Sequence, residues 1–171
     1  MDFSKFIRDI PDFPKAGIIF KDITPLLQDK EAFRALIDEW VKINENKAID
    51  LVVGPESRGF IFAPPLAYAL NAGFIPVRKP GKLPFTTVKA EYALEYGTDA
   101  VHIHTDAIKK GQKILLVDDL LATGGTAAAC CELIKELGGE LVGIQFLVEL
   151  TFLKGREKLE EIADVHTILK V

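Results

Sequence analysis

Two rhythms of apolar residues alternate along this chain. Phe33, Leu36, Ile37, Trp40 and Val41 recur at the 3.6-residue period of a helix, which Asp29 is placed to cap and Asn44 to Asn46 to end. Short apolar runs take the other rhythm: Ile49–Val53, Phe74–Val77, Ile114–Val117, Leu141–Val148 and Val165–Leu169, with Val101–His104 as a further strand. Runs that are apolar at nearly every position suit strands covered on both faces. Helical stretches fall near Ser4–Asp9, from Gly59 to Leu70, and from Thr126 to Leu137. Pro64-Pro65 predicts that the second of these starts or bends there, and Gly138-Gly139 closes the third. The alternation predicts an α/β fold, a single domain with a mostly parallel central sheet flanked by helices. Ligands of such sheets bind beyond the carboxyl ends of the strands, so chemistry is expected after Val53, Val77 and Val117.

Two segments follow neither rhythm. Residues 1–28 are a proline-punctuated leader. Residues 79–97, KPGKLPFTTVKAEYALEYG, open with Pro and Gly, carry several charges and close with Gly97. A loop of that length in a compact domain is usually functional, and a lid is expected. Composition narrows the class. The chain has 171 residues, 49% hydrophobic and 27% charged, with a net charge of −4, which excludes a disordered chain and lacks the basic footprint of a nucleic-acid binder. Its two cysteines, Cys130 and Cys131, are neighbours that cannot build a disulfide framework and read as buried thiols in a reducing compartment. No signal-peptide pattern or membrane-length apolar run is visible, so a cytoplasmic protein with no membrane or nucleic-acid partner is expected.

The most informative segment is ILLVDDLLATGGT, Ile114 to Thr126. Two acids close an apolar strand, a turn of small residues follows, and then a helix. Ala122, Thr123, Gly124, Gly125 and Thr126 can aim successive backbone N–H groups at one point, with the positive end of the helix behind them, as an anion nest. Thr123 and Thr126 add hydroxyl donors. Asp118 and Asp119 would repel a bare phosphate, yet they suit a ligand that carries hydroxyls beside its phosphate, such as a ribose phosphate. No lysine follows the glycine pair, which argues against a P-loop.

The string resembles the phosphoribosyl pyrophosphate signature of the type I phosphoribosyltransferases, and in the form DDLLATGGT that of the adenine phosphoribosyltransferases. Five further segments share the resemblance in the right order: FPKAGIIFKDITPLL (Phe13 to Leu27), GPESRGF (Gly54 to Phe60), RKPGKLP (Arg78 to Pro84), YALEYG (Tyr92 to Gly97) and VELTFLKGREKL (Val148 to Leu159). Pro65 beside Pro64 departs from the single proline common in that family. The resemblance implies one domain over 1–171, with residues 1–28 as a base-binding hood and 79–97 as a flexible lid loop. It implies phosphoribosyl transfer to adenine, giving AMP and pyrophosphate in purine salvage. A hypoxanthine or guanine phosphoribosyltransferase is the alternative, and a ligand-sensing regulator of the same fold a more distant one.

Residue roles follow from the same resemblance. Asp118 and Asp119 hold the ribose hydroxyls, and residues 122–126 take the 5′-phosphate. Arg58 and Lys82 suit pyrophosphate, and Glu95 is the acid/base partner of the adenine imidazole, with Tyr96 closing over the ligand. Phe20 stacks on the base while the backbone of Ile19 and Lys21 reads its edge. Mg²⁺ is held mainly by substrate oxygens and water, with no direct protein ligand. A homodimer is expected, with Arg78-Lys79 near its boundary. Taken alone, Lys82 and Glu95 are ordinary exposed loop charges and Phe20 a core residue. His102 and His104 share a strand face and read as its polar positions, and His166 has no evident partner.

Overall fold

The computed structural model describes residues 1–93 and 97–171. The chain forms a leading 3-10 turn at Phe3–Phe6, then β1 (Arg8–Pro11), β2 (Ile19–Asp22), α1 (Thr24–Gln28), α2 (Lys30–Asn44), β3 (Leu51–Pro55), α3 (Gly59–Ala69) and β4 (Gly73–Val77). It continues through β5 (Thr87–Ala93), β6 (Thr98–His104), β7 (Lys113–Leu121), α4 (Gly125–Glu136), β8 (Glu140–Glu149), α5 (Gly155–Glu160) and β9 (Val165–Lys170). The central sheet has the order β4-β3-β7-β8-β9, and every neighbouring pair in it is parallel.

The period-2 alternation of strand side chains divides the core in two. On one face Val52, Leu115, Val117 and Leu147 meet Leu36, Ile37 and Trp40 of α2 and Phe62, Ala63 and Leu66 of α3. On the other, Val53, Ile114, Leu116, Ile144 and Phe146 meet α4 through Cys130, Leu133 and Ile134, and meet Ala90, Val101 and Ile103 of the β5–β6 hairpin. The Asp29 carboxylate caps α2 by accepting from the N–H groups of Glu31 and Ala32 at 3.0 and 2.9 Å.

Three local expectations change, while the helix expected from Gly59 is present. The helical candidate at Ser4–Asp9 is a single 3-10 turn followed by β1, which pairs antiparallel with β2 so that Arg8 faces Asp22. The loop expected throughout 79–97 contains β5, paired antiparallel with β6 from Thr87–His104 to Ala93–Thr98. Its charged Lys89 and Glu91 face outward while Ala90 is buried, the alternation of a half-covered strand. Helix α3 begins at Gly59 and carries both Pro64 and Pro65 in its interior, so the carbonyls of Phe60 and Ile61 lose their i+4 N–H donors. Finally, β3 continues through Gly54-Pro55, and β7 continues past the two acids to Leu121, pairing Leu121 with Glu149.

Candidate active site

Consecutive residues of a strand point to opposite faces, and this separates the two acids of β7. Asp118 borders a cavity of about 650 Å³, which is also walled by Ala122–Thr126, by Tyr92 and Ala93 of β5, and by Leu153 and Lys158. Asp119 is 4% exposed and forms an ion pair with Arg58, Nε to Oδ2 at 2.9 Å. The Asp119 N–H also donates to Asp118 Oδ1 at 2.9 Å. Burial raises both carboxyl groups above the ordinary carboxylate range, Asp118 well above it. The charge of Asp119 adds to the shift at Asp118, and Arg58 opposes it at both.

The turn after β7 is shaped by two glycines in close approach. Gly124 sits at φ +78°, the left-handed region, as N-cap of α4. A Cβ on Gly124 would come within 2.7 Å of the Gly155 carbonyl oxygen. A Cβ on Gly155 would run into the Ala122 carbonyl oxygen and lie 2.8 Å from the Gly124 nitrogen. The first turn of α5 is therefore laid backbone to backbone against the outside of the nest. Gly155 carries no local signal of this role in the sequence, because a close approach is invisible until the two elements are brought together.

A second cavity, about 500 Å³, is lined by Gly17, Ile18, Ile19 and Lys21 from the leader, by Leu150, Phe152, Leu153 and Val171 from the C-terminal part, and by Thr123. The two cavities share Thr123 and Leu153. The cavity at the 122–126 turn thus adjoins an apolar slot. Leu150, Phe152 and Leu153 were not singled out from sequence. Their signal is the apolar residues of VELTFLKGREKL, with Phe152 72% exposed and open to an occupant of the slot.

Other expected site residues lie as follows. Phe20 takes the Arg58 guanidinium over its ring, 5.2 Å from the centroid, and meets the Phe13 ring edge-on, so Arg58 spans Asp119 and Phe20. Lys21 pairs through Nζ with Asp9 at 2.7 Å across the β1–β2 hairpin. Lys82 is apart from Arg58 in its pairing: its Nζ donates to Glu56 Oε2 at 2.7 Å, and Arg78 approaches the same oxygen at 3.7 Å. The cations around Glu56 lower its carboxyl group despite burial. The Lys79 amine bonds both Tyr92 and Asp99, tying the segment after β4 to the β5–β6 hairpin. Glu95 and Tyr96 lie outside the described residues.

His102 shares a 3.0 Å hydrogen bond between Nδ1 and Thr87 Oγ1, and His104 Nε2 accepts from the Phe85 N–H at 3.3 Å, so both serve the hairpin. Cys130 and Cys131 are free and buried in α4, and burial pushes the Cys131 thiol up to about 12 and raises that of Cys130 well above its ordinary value. Among the described residues no group of three or more His, Cys, Asp or Glu is gathered as a metal site. No helix among them is long and apolar enough to cross a membrane.

Comparison with known proteins shows the family. The phosphoribosyl transferase domain family matches residues 23–170. An adenine phosphoribosyltransferase of Halothermothrix orenii is 62% identical over 170 residues, 99% of each chain. The chain belongs to the adenine phosphoribosyltransferase family. Within that family, the crystal structure from Thermoanaerobacter pseudethanolicus superposes with a TM-score of 0.95 at 54% identity, covering 99% of this chain and 98% of that one. The Saccharomyces cerevisiae enzyme, crystallised with adenine and an imino-altritol bisphosphate, gives 0.92 at 44% identity over 98% and 96%.

Proposed function

We infer that this chain transfers the 5-phosphoribosyl group from phosphoribosyl pyrophosphate to adenine, giving AMP and pyrophosphate in purine salvage. The observation that carries the reading is the junction at Thr123 and Leu153, where the turn cavity bordered by Asp118 adjoins an apolar slot. The yeast relative that holds adenine supports the identity of the base.

In this reading an adenine ring nitrogen attacks the anomeric carbon as the bond from that carbon to the pyrophosphate oxygen breaks. Positive charge grows on the ribose ring and negative charge on the leaving group. Asp118 and Asp119 accept from the ribose hydroxyls and face the cationic ring, while residues 122–126 hold the 5′-phosphate by backbone N–H and threonine hydroxyl donors. Arg58 and Lys82 take the pyrophosphate, the first as a planar fork and the second as a point charge. Residues 1–28 act as the hood, with the backbone of Ile19 and Lys21 on the adenine edge and Phe20 against the base. Glu95 exchanges a proton with the imidazole part of adenine, and Tyr96 closes the lid within 79–97. Mg²⁺, when bound, would offset the phosphate charge and be held mainly by substrate oxygens and water. The enzyme works as a homodimer in the cytoplasm, a setting in which two buried free thiols persist.

A panel of bases tests the reading. With phosphoribosyl pyrophosphate and Mg²⁺, adenine should release pyrophosphate, while hypoxanthine and guanine release it at least about tenfold more slowly. Hypoxanthine matching adenine would assign the chain to the alternative purine reaction.

A further inference from the structure

The cluster around Glu149 lies outside both cavities, yet it is built as carefully as the site itself. Glu149 ends β8, is 4% exposed, and is registered opposite Leu121, the residue that leads into the nest. Arg156 meets it with a two-pronged bond, Nε–H to Oε1 at 2.9 Å and an Nη2–H to Oε2 at 2.6 Å. The rest of the guanidinium is also engaged: it donates to Thr167 Oγ1 at 3.0 Å, to the Val165 carbonyl at 2.8 Å and to Glu160 Oε1 at 3.1 Å. Thr167 completes the ring by donating to Glu149 Oε2 at 2.9 Å. One side chain thus fastens the first turn of α5 to the end of β8 and the first half of β9.

What it fastens is the residue before it. Gly155 has its backbone against Ala122, Thr123 and Gly124, with room for no side chain on either glycine. An anion nest works only if its N–H groups are already aimed, because turning them at the moment of binding would cost what the bonds return.

We propose that Arg156 and Glu149 are positioning residues for the phosphate loop: they lock Gly155 against residues 122–124 and so hold the nest in its anion-accepting shape. Neither touches substrate. The inference rests on the assignment of residues 122–126 to the 5′-phosphate. It predicts that loosening the lock weakens ligands that carry that phosphate and spares the base slot, although Leu150, Phe152 and Leu153 of the slot flank the same segment.

The test compares the binding of ribose 5-phosphate and of adenine, by calorimetry on the intact protein well below its melting temperature. The variants are Gly155→Ala, Arg156→Lys, Thr167→Val and, as a probe of the nest itself, Thr126→Ala. Displacing the nest by a fraction of an ångström to 1 Å should weaken ribose 5-phosphate about tenfold or more in Gly155→Ala and Arg156→Lys, with adenine within about twofold. Thr167→Val, which removes one bond of the ring, should show the same split at smaller size and serves if Gly155→Ala fails to fold. Ribose 5-phosphate and adenine weakened equally, or ribose 5-phosphate unchanged while Thr126→Ala weakens it, would overturn the positioning role and leave the site assignment standing. An unchanged affinity in Thr126→Ala would remove the assignment of the nest, and the proposal with it.

Discussion

Asp118, in its proposed role at the ribose hydroxyls, is ionised at the expense of the fold. Burial, with the charge of Asp119 beside it, raises its carboxyl group well above the ordinary range, so the ionised form is an unfavourable presence in the folded protein. The folded state therefore binds a proton at a pH where the unfolded chain has already lost it. Stability falls as pH rises from the unfolded pKa through the raised folded one, and is recovered on acidification. Asp118→Asn should accordingly be more stable than the parent at pH 8, by about 0.5–2 kcal/mol, or about 2–4 °C in melting temperature per kcal/mol for a chain of this size. The gap should close as pH is lowered, and calorimetric melting across pH 4–8 would measure it; a constant gap would refute the account. The double change Asp118→Asn with Asp119→Asn should fold and lose most turnover, since each charge-assisted hydrogen bond is worth about 1.5–3 kcal/mol. A folded double variant with near-normal rate would end the ribose assignment.

Glu95 belongs to the same scale, although it lies outside the described residues. In Leu94-Glu95-Tyr96-Gly97 it stands apart in sequence from the proposed anion-binding groups, Arg58 and residues 122–126. Glu95→Gln keeps size and hydrogen bonding while removing charge and proton exchange. The expected result is a maximal rate reduced by about 100- to 10,000-fold, with the dissociation constant of phosphoribosyl pyrophosphate nearly unchanged. Stopped-flow binding and turnover on the same preparation separate the two. A preserved rate, or affinity lost in proportion, would make Glu95 an ordinary lid residue.

Among the elements, α5 is the one whose anchoring is most exposed to test. Hydrogen bonds from Arg156 and Thr167 hold the Glu149 carboxyl below its ordinary range, so its contribution to stability is present above the unfolded pKa and is lost as pH falls through the folded one. Glu149→Gln leaves Arg156 half-paired and should lower stability at pH 7 by about 3–5 kcal/mol, the usual result of breaking a largely buried pair. Below the unfolded carboxylate value, about 4.3, the difference should shrink progressively as pH falls toward the lowered folded value, where the parent carboxyl protonates and resembles the variant. Chemical denaturation at pH 7 and pH 3.5 checks both halves.

The same element marks what a sequence can and cannot disclose. The β7–nest–α4 unit was legible because strand, turn and chemistry occupy thirteen adjacent residues, and each requires a distinct residue type. The six residues of α5 span too few turns to show a period, and the role of Gly155 depends on a loop thirty residues away. Strand β5 was hidden by its charges, although Val88, Ala90 and Tyr92 alternate with them as a half-covered strand should. In the leader, Pro11 and Pro14 obscured a hairpin whose register is fixed by partners such as Arg8 and Asp22. The apolar slot needs residues from both ends of the chain, and no local pattern could join Ile19 to Leu150.

For the whole molecule, the proposed homodimer turns on α3. Its sequence, GFIFAPPLAYA, contains no charged residue, and a helix that is apolar all round is normally covered all round. One face of it is: Phe62, Ala63 and Leu66 are fully buried against the sheet. The opposite face is open in the single chain, with Tyr68 90% exposed and Phe60, Ile61, Pro64 and Pro65 only partly covered. Arg78, expected near the subunit boundary, lies over the Phe60 ring at 5.8 Å and so adjoins this face. A second copy related by a twofold axis would cover both open faces with the same contacts, the self-complementary arrangement most homodimers use. Tyrosine is also a frequent energetic anchor in such interfaces, and a carboxylate in its place would be desolvated without a partner. Tyr68→Glu should therefore weaken association by at least about tenfold while leaving the sheet and the phosphate loop folded. Light scattering over a dilution series would follow the parent as a dimer and the variant as a monomer at the same concentration. A parent that is already monomeric at working enzyme concentration would refute the dimer, and a Tyr68→Glu protein that stays fully dimeric would move the interface away from α3.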